Sequence, residues 1–277
     1  MATVTRSTIF RRTVALTFAG ALVVACTGDD DTADSTTTTT TVLVPPTAAS
    51  SVPSTVPPEL GDEYAAALAD PTIDATGLVV TGSDAARYLE LRRTSSALLG
   101  IALTTSGDVF VAGGTVPTTI AGRGESTICD AGGCTVLGDF VTDAGGTLVD
   151  TLSIDGRPLA GRIAGAGTTA DAEGIVMRVR VAYVTNADQI VVVLSTSNTS
   201  EYEVELFGFA AIYQPTAGGG GAEAAGAWGA GILPSGASGV TMLVFETTDL
   251  GGRIGIRGLR RDGLDVTLDI PVPSAQA

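Results

Sequence analysis

The residue types that enzymes use most often for nucleophilic and acid–base chemistry are missing from this chain. All fifteen basic residues are arginine, so the 277 residues contain neither lysine nor histidine. Without histidine there is no Ser-His-Asp or Cys-His pair and no imidazole metal ligand. Without lysine there is no Schiff base and no phosphate-loop lysine. Only paired carboxylates or an unusually activated serine remain, so we expect no enzyme activity, no cofactor and no metal site.

The N-terminus has the layout of a secretory signal. Arg6, Arg11 and Arg12 precede an uncharged, apolar stretch that runs from Thr13 to Ala25. A basic start, an apolar middle and a small residue at the cut are the parts of such a signal. The stretch is too short for a transmembrane helix, which needs about 20 apolar residues. The adjacent arginines also resemble a twin-arginine signal, so the general and the twin-arginine export routes both stay open.

Cys26 directly follows the small residue that ends this stretch. The run Val23-Val24-Ala25-Cys26 resembles the lipobox of bacterial lipoprotein signals. The resemblance implies cleavage between Ala25 and Cys26 and attachment of palmitate-type acyl chains to Cys26. It also implies a mature protein that is anchored to the cell membrane outside the cytoplasm. An ordinary cleaved signal would instead leave Cys26 as an odd free thiol in an oxidising compartment.

The other two cysteines, Cys129 and Cys134, bracket the turn-like run Asp130-Ala131-Gly132-Gly133. Outside the cytoplasm, two cysteines at the base of a tight hairpin are expected to form a disulfide. A metal site would need two further ligands, and histidine is absent. A redox motif would have the closer Cys-x-x-Cys spacing. We therefore expect a structural disulfide between Cys129 and Cys134.

The chain is acidic, with a formal net charge of −15, and it becomes more acidic when the signal is removed. Residues 1–25 hold three arginines and no acid, so the mature charge is −18 (−15 − 3). This charge argues against nucleic acid as a partner and against adhesion to anionic lipid through a basic patch. The membrane is therefore expected as a partner only through the lipid on Cys26. Because arginine codons are GC-rich, the exclusive use of arginine indicates a high-GC bacterium.

Residues 26–60 have the composition of a disordered tether. They contain the acidic run Asp29-Asp30-Asp31, six consecutive threonines from Thr36 to Thr41, and several prolines. Such a segment cannot bury a hydrophobic core. The acids lack the glycine and the closing glutamate of a calcium loop, so we expect a solvated spacer between the membrane and a globular region.

Residues 61–165 are expected to form a small α+β unit, which carries no family motif that we recognise. A short helix is predicted from Asp62 to Ala69 and an amphipathic helix from Asp84 to Leu103, with Ser83 as its N-cap. The polar break Thr94-Ser95-Ser96 could end the second helix early. Asp155-Gly156 and Gly145-Gly146 are the clearest hairpin turns. The predicted strands are Asp108–Ala112, Thr118–Ala121, Ser126–Cys129, Cys134–Val141, Leu148–Ile154 and Leu159–Ile163.

Residues 171–273 alternate more regularly between apolar and polar side chains. In Ile175 to Tyr183 the odd positions are apolar, and Gln189 to Ser195 is apolar almost throughout, as in a strand buried on both faces. Alternation at this spacing predicts an antiparallel sandwich. The further predicted strands are Tyr202–Leu206, Met242–Phe245, Ile254–Ile256 and Leu264–Ile270.

Three motifs in this region resemble the immunoglobulin-like modules of bacterial surface lipoproteins. They are Val181-Ala182-Tyr183-Val184-Thr185-Asn186, Ile232-Leu233-Pro234-Ser235-Gly236 and Leu243-Val244-Phe245-Glu246. The resemblance implies an immunoglobulin-like β-sandwich over about 100 residues and an extracytoplasmic setting, but no catalytic residue. The expected fold class is mainly β, with a signal peptide and tether, the small α+β unit, and then this sandwich.

Two further groups of residues could contact a ligand. The glycine-rich segment 217–231 lacks the lysine and the spacing of a phosphate loop, so we expect a mobile crossover between strands, with Trp228 capping a core. Arg178 and Arg180 could hold an anion together. Pairing with acids across the sheet, such as Glu203 or Glu205, is the more ordinary arrangement.

These observations favour a membrane-anchored, extracytoplasmic lipoprotein with a non-enzymatic role in binding or in envelope structure, whose partner is an envelope protein or the cell wall. One alternative is a small-molecule sensor or solute-binding protein with an apolar pocket at the junction of residues 61–165 and 171–273. Another is a cell-wall glycan hydrolase, which would need two acids about 5–9 Å apart in a cleft.

Overall fold

Strands dominate the protein, as the alternating pattern predicts. The computed structural model describes residues 57–99, 118–121, 124–130, 133–216 and 218–275. The signal peptide, Cys26, the tether as far as residue 56 and the strand expected at Asp108–Ala112 lie outside these residues. The described part is mainly β, with large antiparallel sheets and two α-helices, and all of it belongs to one compact unit.

The helices are α1 (Pro58–Ala69) and α2 (Asp84–Leu99). The strands are β1 (Thr118–Ala121), β2 (Ser126–Asp130), β3 (Gly133–Thr142), β4 (Val149–Ile154), β5 (Arg157–Pro158), β6 (Ile163–Ala164), β7 (Thr169–Ala172), β8 (Ile175–Val184), β9 (Ile190–Asn198), β10 (Val204–Leu206), β11 (Ile212–Gln214), β12 (Ala222–Gly229), β13 (Ile232–Leu233), β14 (Ser238–Phe245), β15 (Arg253–Arg260) and β16 (Asp265–Pro271). A 3-10 turn, η1 (Gly208–Ala210), separates β10 from β11.

Both helices were predicted, α1 with a different start, and residues 100–103 at the end of the second predicted helix lie outside the described residues. α1 begins at Pro58, four residues ahead of the prediction, because proline fits the first helical turn, where its missing N–H costs nothing. The Ser83 hydroxyl accepts a hydrogen bond from the Ala86 N–H at 3.1 Å, so it is the N-cap of α2. The helix continues through the polar break, where the buried Ser95 hydroxyl donates to the Arg92 carbonyl at 2.8 Å.

The first five strands form an antiparallel sheet in the order β1-β2-β3-β4-β5. Asp155 and Gly156 join β4 to β5 with φ angles of 50° and 74°, which is the left-handed pair of a type I′ hairpin turn. The strand predicted at Leu159–Ile163 is wrong. The Arg162 N–H donates to the Leu159 carbonyl at 2.9 Å, and this turn separates the two short strands β5 and β6.

The remaining eleven strands, β6 to β16, form one sheet that folds into two layers. One layer, the helix-side sheet, contains β8, β9, β14 and most of β12, with β6 and β7 paired to β8. The other layer, the outer sheet, contains β10, β11, β13, β15 and β16. A hydrophobic core lies between the layers, with Met177, Tyr213 and Phe245 among its fully buried members.

A second hydrophobic core lies between the helices and the helix-side sheet, and a β-bulge makes it possible. The register of β8 against β9 shifts between Val179 and Val181, so Arg180 is an extra residue. Before the bulge the odd residues of β8 belong to the core between the layers. After it, Val181 and Tyr183 belong to the helix-side core. The prediction that all odd positions from 175 to 183 share one face is therefore wrong.

The expectation of a mobile crossover at 217–231 is also wrong for most of that segment. Residues 222–229 form β12, which pairs with β11 at one end and with β14 at the other, so this strand joins the two layers. Small side chains suit such a corner. A Cβ at Gly226 would overlap the ring of Trp228, and one at Gly229, whose φ is 109°, would overlap the Val240 carbonyl oxygen.

Candidate functional site

A gap in the outer sheet opens an apolar pocket into the sandwich. β10 and β11 pair with the same strand, β15, but η1 interrupts them. The neighbouring line of β12 and β13 is interrupted at Ala230 and Gly231. The pocket between these two interruptions has a volume of about 100 Å³. It is lined by Met177, Leu206, Gly208, Phe209, Ala227, Trp228, Gly229, Ala230, Gly231, Thr241 and Ile256.

Small residues keep this pocket open. A Cβ at Gly208 would lie only 3.0 Å from the Cβ of Ala227, so a larger residue at this position would push η1 and β12 slightly apart. Leu206, Met177 and Ile256 are buried members of the core between the layers and supply the apolar floor.

Exposed apolar side chains lie on the outer sheet beside the pocket. Phe209 of η1 lines the pocket and is 73% exposed, and Ile232, which follows the lining residue Gly231, is 59% exposed. Together with three further exposed residues, they form what we call the outer apolar surface: Phe207, Phe209, Ile212, Ile232 and Leu259. Exposed apolar side chains beside a pocket are typical of an interaction site.

Acids lie among these apolar side chains. Glu205 is directly opposite Ile232 on one neighbouring strand and Leu259 on the other, and Glu223 is opposite Ile212. Asp265 is opposite Leu259 on the far side. Within the described residues, Glu205, Glu223 and Asp265 form no ion pair, and Arg257 is the one cation of this face that also lacks an acidic partner. The unpaired charge around the outer apolar surface is therefore negative on balance.

The chain's single tryptophan reports on this pocket. Trp228 lines it from β12, and its indole ring lies over Gly226, two residues earlier in the same strand. The same ring packs against the helix-side core, so the expected core-capping position describes part of its surroundings. The contact with the pocket is an addition that the sequence did not indicate.

Cys129 and Cys134 lie opposite each other on β2 and β3, with their sulfur atoms 2.01 Å apart, which is the distance of a disulfide bond. The pair braces the hairpin of the first sheet. Neither cysteine lines the pocket in the sandwich.

Arg178 and Arg180 do not pair with Glu203 or Glu205, because β8 and β10 belong to different layers. The Arg180 guanidinium forms an ion pair with Glu90 of α2 at 2.6 Å. The Arg178 Nε donates to the Gly167 carbonyl at 2.9 Å. Glu203 instead lies 3.6 Å from Arg261. Since Arg180 is the bulged residue, its ion pair fastens α2 to the point where β8 changes faces.

Among the acids with a resolved pKa shift, Asp84 is the one whose pKa is raised, whereas the pKa values of Asp70, Asp74, Asp143 and Asp262 are lowered by hydrogen bonds. Burial raises the pKa of Asp84, as does nearby Asp150, whereas Arg87, whose Nη1 lies 3.0 Å away, lowers it. Asp84 begins α2, and a carboxylate paired with the arginine three residues later is an ordinary arrangement in a first turn. Among the described residues, no group of three or more acids or cysteines is arranged to hold a metal ion.

The junction between the helical part and the sandwich is filled by side chains. Leu91 and Tyr88 of α2 belong to the same hydrophobic core as Val193 and Met242 of the sandwich. The rings of Tyr88 and Tyr183 meet edge-on with centroids 5.4 Å apart. The sensor alternative needs an apolar pocket at this junction. The pocket found there, of about 300 Å³ between α2 and β8, is lined by the polar side chains of Glu90, Arg178, Arg180 and Ser195 together with Ala166 and Val179.

Within the described ranges, no helix has the length and apolar character needed to cross a membrane. No protein-family model matches the chain, and a search of curated proteins finds no similar sequence.

The pocket and its aromatic rim were missed by the sequence reasoning, although one signal was present. The side chains of Leu206 and Phe207 cannot both point into the core, because adjacent residues of a strand point to opposite faces of the sheet. An apolar residue that breaks the alternation must be exposed or covered by another element. Here Leu206 is buried, and both phenylalanines are exposed.

Proposed function

We propose that this protein is a lipid-anchored, extracytoplasmic lipoprotein with a non-enzymatic binding role in the cell envelope. The lipobox-like run ending at Cys26 supports the anchor, and the tether-like composition of residues 26–60 supports a spacer that holds the folded part away from the membrane. The observation that carries the binding role is the pocket of about 100 Å³ beside Trp228, with exposed apolar side chains at its mouth.

We also propose that the sandwich is an immunoglobulin-like module. In constant-type immunoglobulin domains, strands A, B, E and D form one sheet and strands C, F and G form the other. In chain order, β8, β9, β12 and β14 take the places of A, B, D and E, and β14 lies between β9 and β12. The interrupted strand β10–β11 takes the place of C, with β15 and β16 as F and G. This correspondence supports the expectation drawn from the sequence motifs.

The anchor is tested by Cys26→Ser in a bacterium that processes lipoproteins. We expect the variant to leave the membrane fraction, as released protein or as uncut precursor, because no acyl chain can be attached. Unchanged membrane retention with normal processing would contradict the anchor.

The binding role is tested by affinity capture from envelope extract with the acylated full chain as bait. Gly231→Phe places a large side chain at the pocket, where a Cβ meets only the Leu206 carbonyl oxygen, at 3.9 Å. Gly220→Phe is the matched control, because nothing lies within 4 Å of its Cβ and it does not line the pocket. We expect the wild type and Gly220→Phe to capture a common partner protein. Gly231→Phe should fail to capture this protein. Equal capture by all three would contradict a binding role for the pocket.

A further inference from the structure

Resting on the proposed binding function, we propose that the pocket takes one apolar anchor side chain of a protein partner, and that basic residues flank this anchor in the partner. The proposal names the chemistry of the occupant, which the proposed function leaves open. It follows from the size of the pocket, the backbone around it and the charge at its mouth.

The size of the pocket favours a side chain over a lipid tail. An apolar cavity of about 150 Å³ in another protein is known to hold a benzene molecule, so about 100 Å³ is room for one aliphatic side chain or for part of an aromatic ring. An acyl chain of membrane lipid is several times longer and would leave most of its methylenes in water. The acidic chain would also be repelled by anionic lipid surfaces.

The backbone beside the pocket suits a polypeptide. Only two residues of β12, Ala222 and Glu223, pair with β11. One further hydrogen bond runs from the Ala224 N–H to the Ala211 carbonyl. Beyond this point β12 continues to Gly229 and pairs with β14 on its other side, while its near side faces η1. A partner whose anchor enters the pocket would lie along η1 and β13, an edge strand with an exposed Ile232, where unpaired backbone groups can bond a polypeptide.

The charge at the mouth specifies the flanks of the anchor. Glu205 and Glu223 lie beside Ile232 and Ile212 at opposite ends of the outer apolar surface, and neither has an ion-pair partner among the described residues. Asp265 adds a third acid, and among the described residues of this face Arg257 is the one opposing charge without an acid of its own. A partner with arginine or lysine on both sides of its anchor would meet complementary charge, whereas a second copy of this acidic chain would not.

The test is selection of a displayed library of random 12-residue peptides on the full mature chain. We expect the selected peptides to share one large aliphatic or aromatic residue with arginine or lysine within about three positions on either side. A synthetic peptide of the selected consensus should quench or shift the emission of Trp228. Its affinity should fall about tenfold or more in Gly231→Phe and in Phe209→Ala, as for an anchor residue, and stay unchanged in Gly220→Phe.

The double variant Glu205→Gln/Glu223→Gln should weaken the same peptide several-fold at low salt and less at high salt. Urea unfolding of each variant separates loss of binding from loss of fold. A consensus without basic residues, or one whose affinity ignores Gly231→Phe, overturns the proposal. So would tighter pocket binding by octanoate than by the peptide, or a dimer in sedimentation that Gly231→Phe abolishes. If envelope capture still depends on Gly231 in these cases, the binding function stands and the inference about the occupant fails.

Discussion

Apolar side chains point away from the sandwich on both of its outer faces. On one face they are buried under other elements, and on the other they are exposed. On the helix-side sheet, Val181, Val193 and Met242 point away from the sandwich and are buried under α1, α2 and the first sheet. On the outer sheet, Phe209 and Ile232 also point away from the core, and they are exposed. The chain thus supplies its own cover for one face and leaves the other uncovered beside a pocket.

The difference teaches which face is available for binding. The helix-side face obtains its apolar residues through a bulge that turns Val181 and Tyr183 toward the helices, and Arg180 and Glu90 fasten the cover at that point. The outer face has no such cover in the described chain. Large exposed apolar side chains beside an open pocket are costly unless a partner uses them.

The largest expected effect is that alkaline pH lowers the free energy of unfolding through the tyrosines buried in the helix-side core. Burial raises the pKa of Tyr64, Tyr88 and Tyr183, all in the helix-side core. An unfolded tyrosine loses its proton near pH 10, whereas these three keep theirs when folded. Above pH 10 the unfolded state therefore binds fewer protons, and between pH 10 and pH 11 stability falls by about 1 kcal/mol for each tyrosine, or about 3 kcal/mol for three.

Urea unfolding at pH 9, 10 and 11 measures this slope. No lysine titrates in the same range, because the chain has none. Burial also raises the pKa of Tyr213 in the core between the layers, so Tyr64→Phe, which loses a hydroxyl that donates to the Ala85 carbonyl at 2.9 Å, should reduce the slope by about a quarter. An unchanged slope in this variant would contradict the assignment.

The second-largest effect is the difference in stability loss when one side chain is truncated in the covered region and one on the outer sheet. Leu91→Ala removes a fully buried side chain under the cover and should cost about 3 kcal/mol, because a cavity remains. Phe209→Ala removes a mostly exposed ring and should change stability by less than about 0.5 kcal/mol. Urea midpoints measure both. Similar losses in the two variants would mean that η1 is part of the core and that the contrast is wrong.

The smallest expected effect is the difference in coupling energy between two ion pairs, one beside the helices and one on the outer sheet. Glu90 and Arg180 are about one-third exposed and join α2 to the bulge, and a double-mutant cycle with glutamine at both positions should give a coupling of about 0.5 kcal/mol. Arg253 and Asp269 on the outer sheet are 2.7 Å apart but more exposed, so the same cycle there should give a smaller coupling. An equal or reversed order would show that the bulge does not depend on its ion pair.

Sequence reasoning predicted the covered region better than the open one. The near-continuous apolar run of β9 predicted burial on both faces, and Val191 and Val192 indeed belong to different cores. The bulge at Arg180 was missed, because a one-residue shift leaves the alternating pattern intact while exchanging the faces.

The pocket was missed for a different reason. It forms where the interruption at η1 meets the interruption between β12 and β13, and these segments are about 20 residues apart in the chain. Periodicity describes one strand at a time and cannot show which interruptions meet. The glycines of 217–231 were read as signs of mobility, whereas at Gly226 and Gly229 they permit close approach within a paired strand.

The contrast between an open pocket beside η1 and a filled core under the helices is tested most directly by a crystal structure determined under xenon pressure. Xenon enters apolar cavities of this size class. We predict a xenon atom in contact with Leu206, Ala227 and Ile256 in the pocket beside η1, and none between the helices and the helix-side sheet. Xenon beneath the helices with an empty site beside η1 would contradict the account.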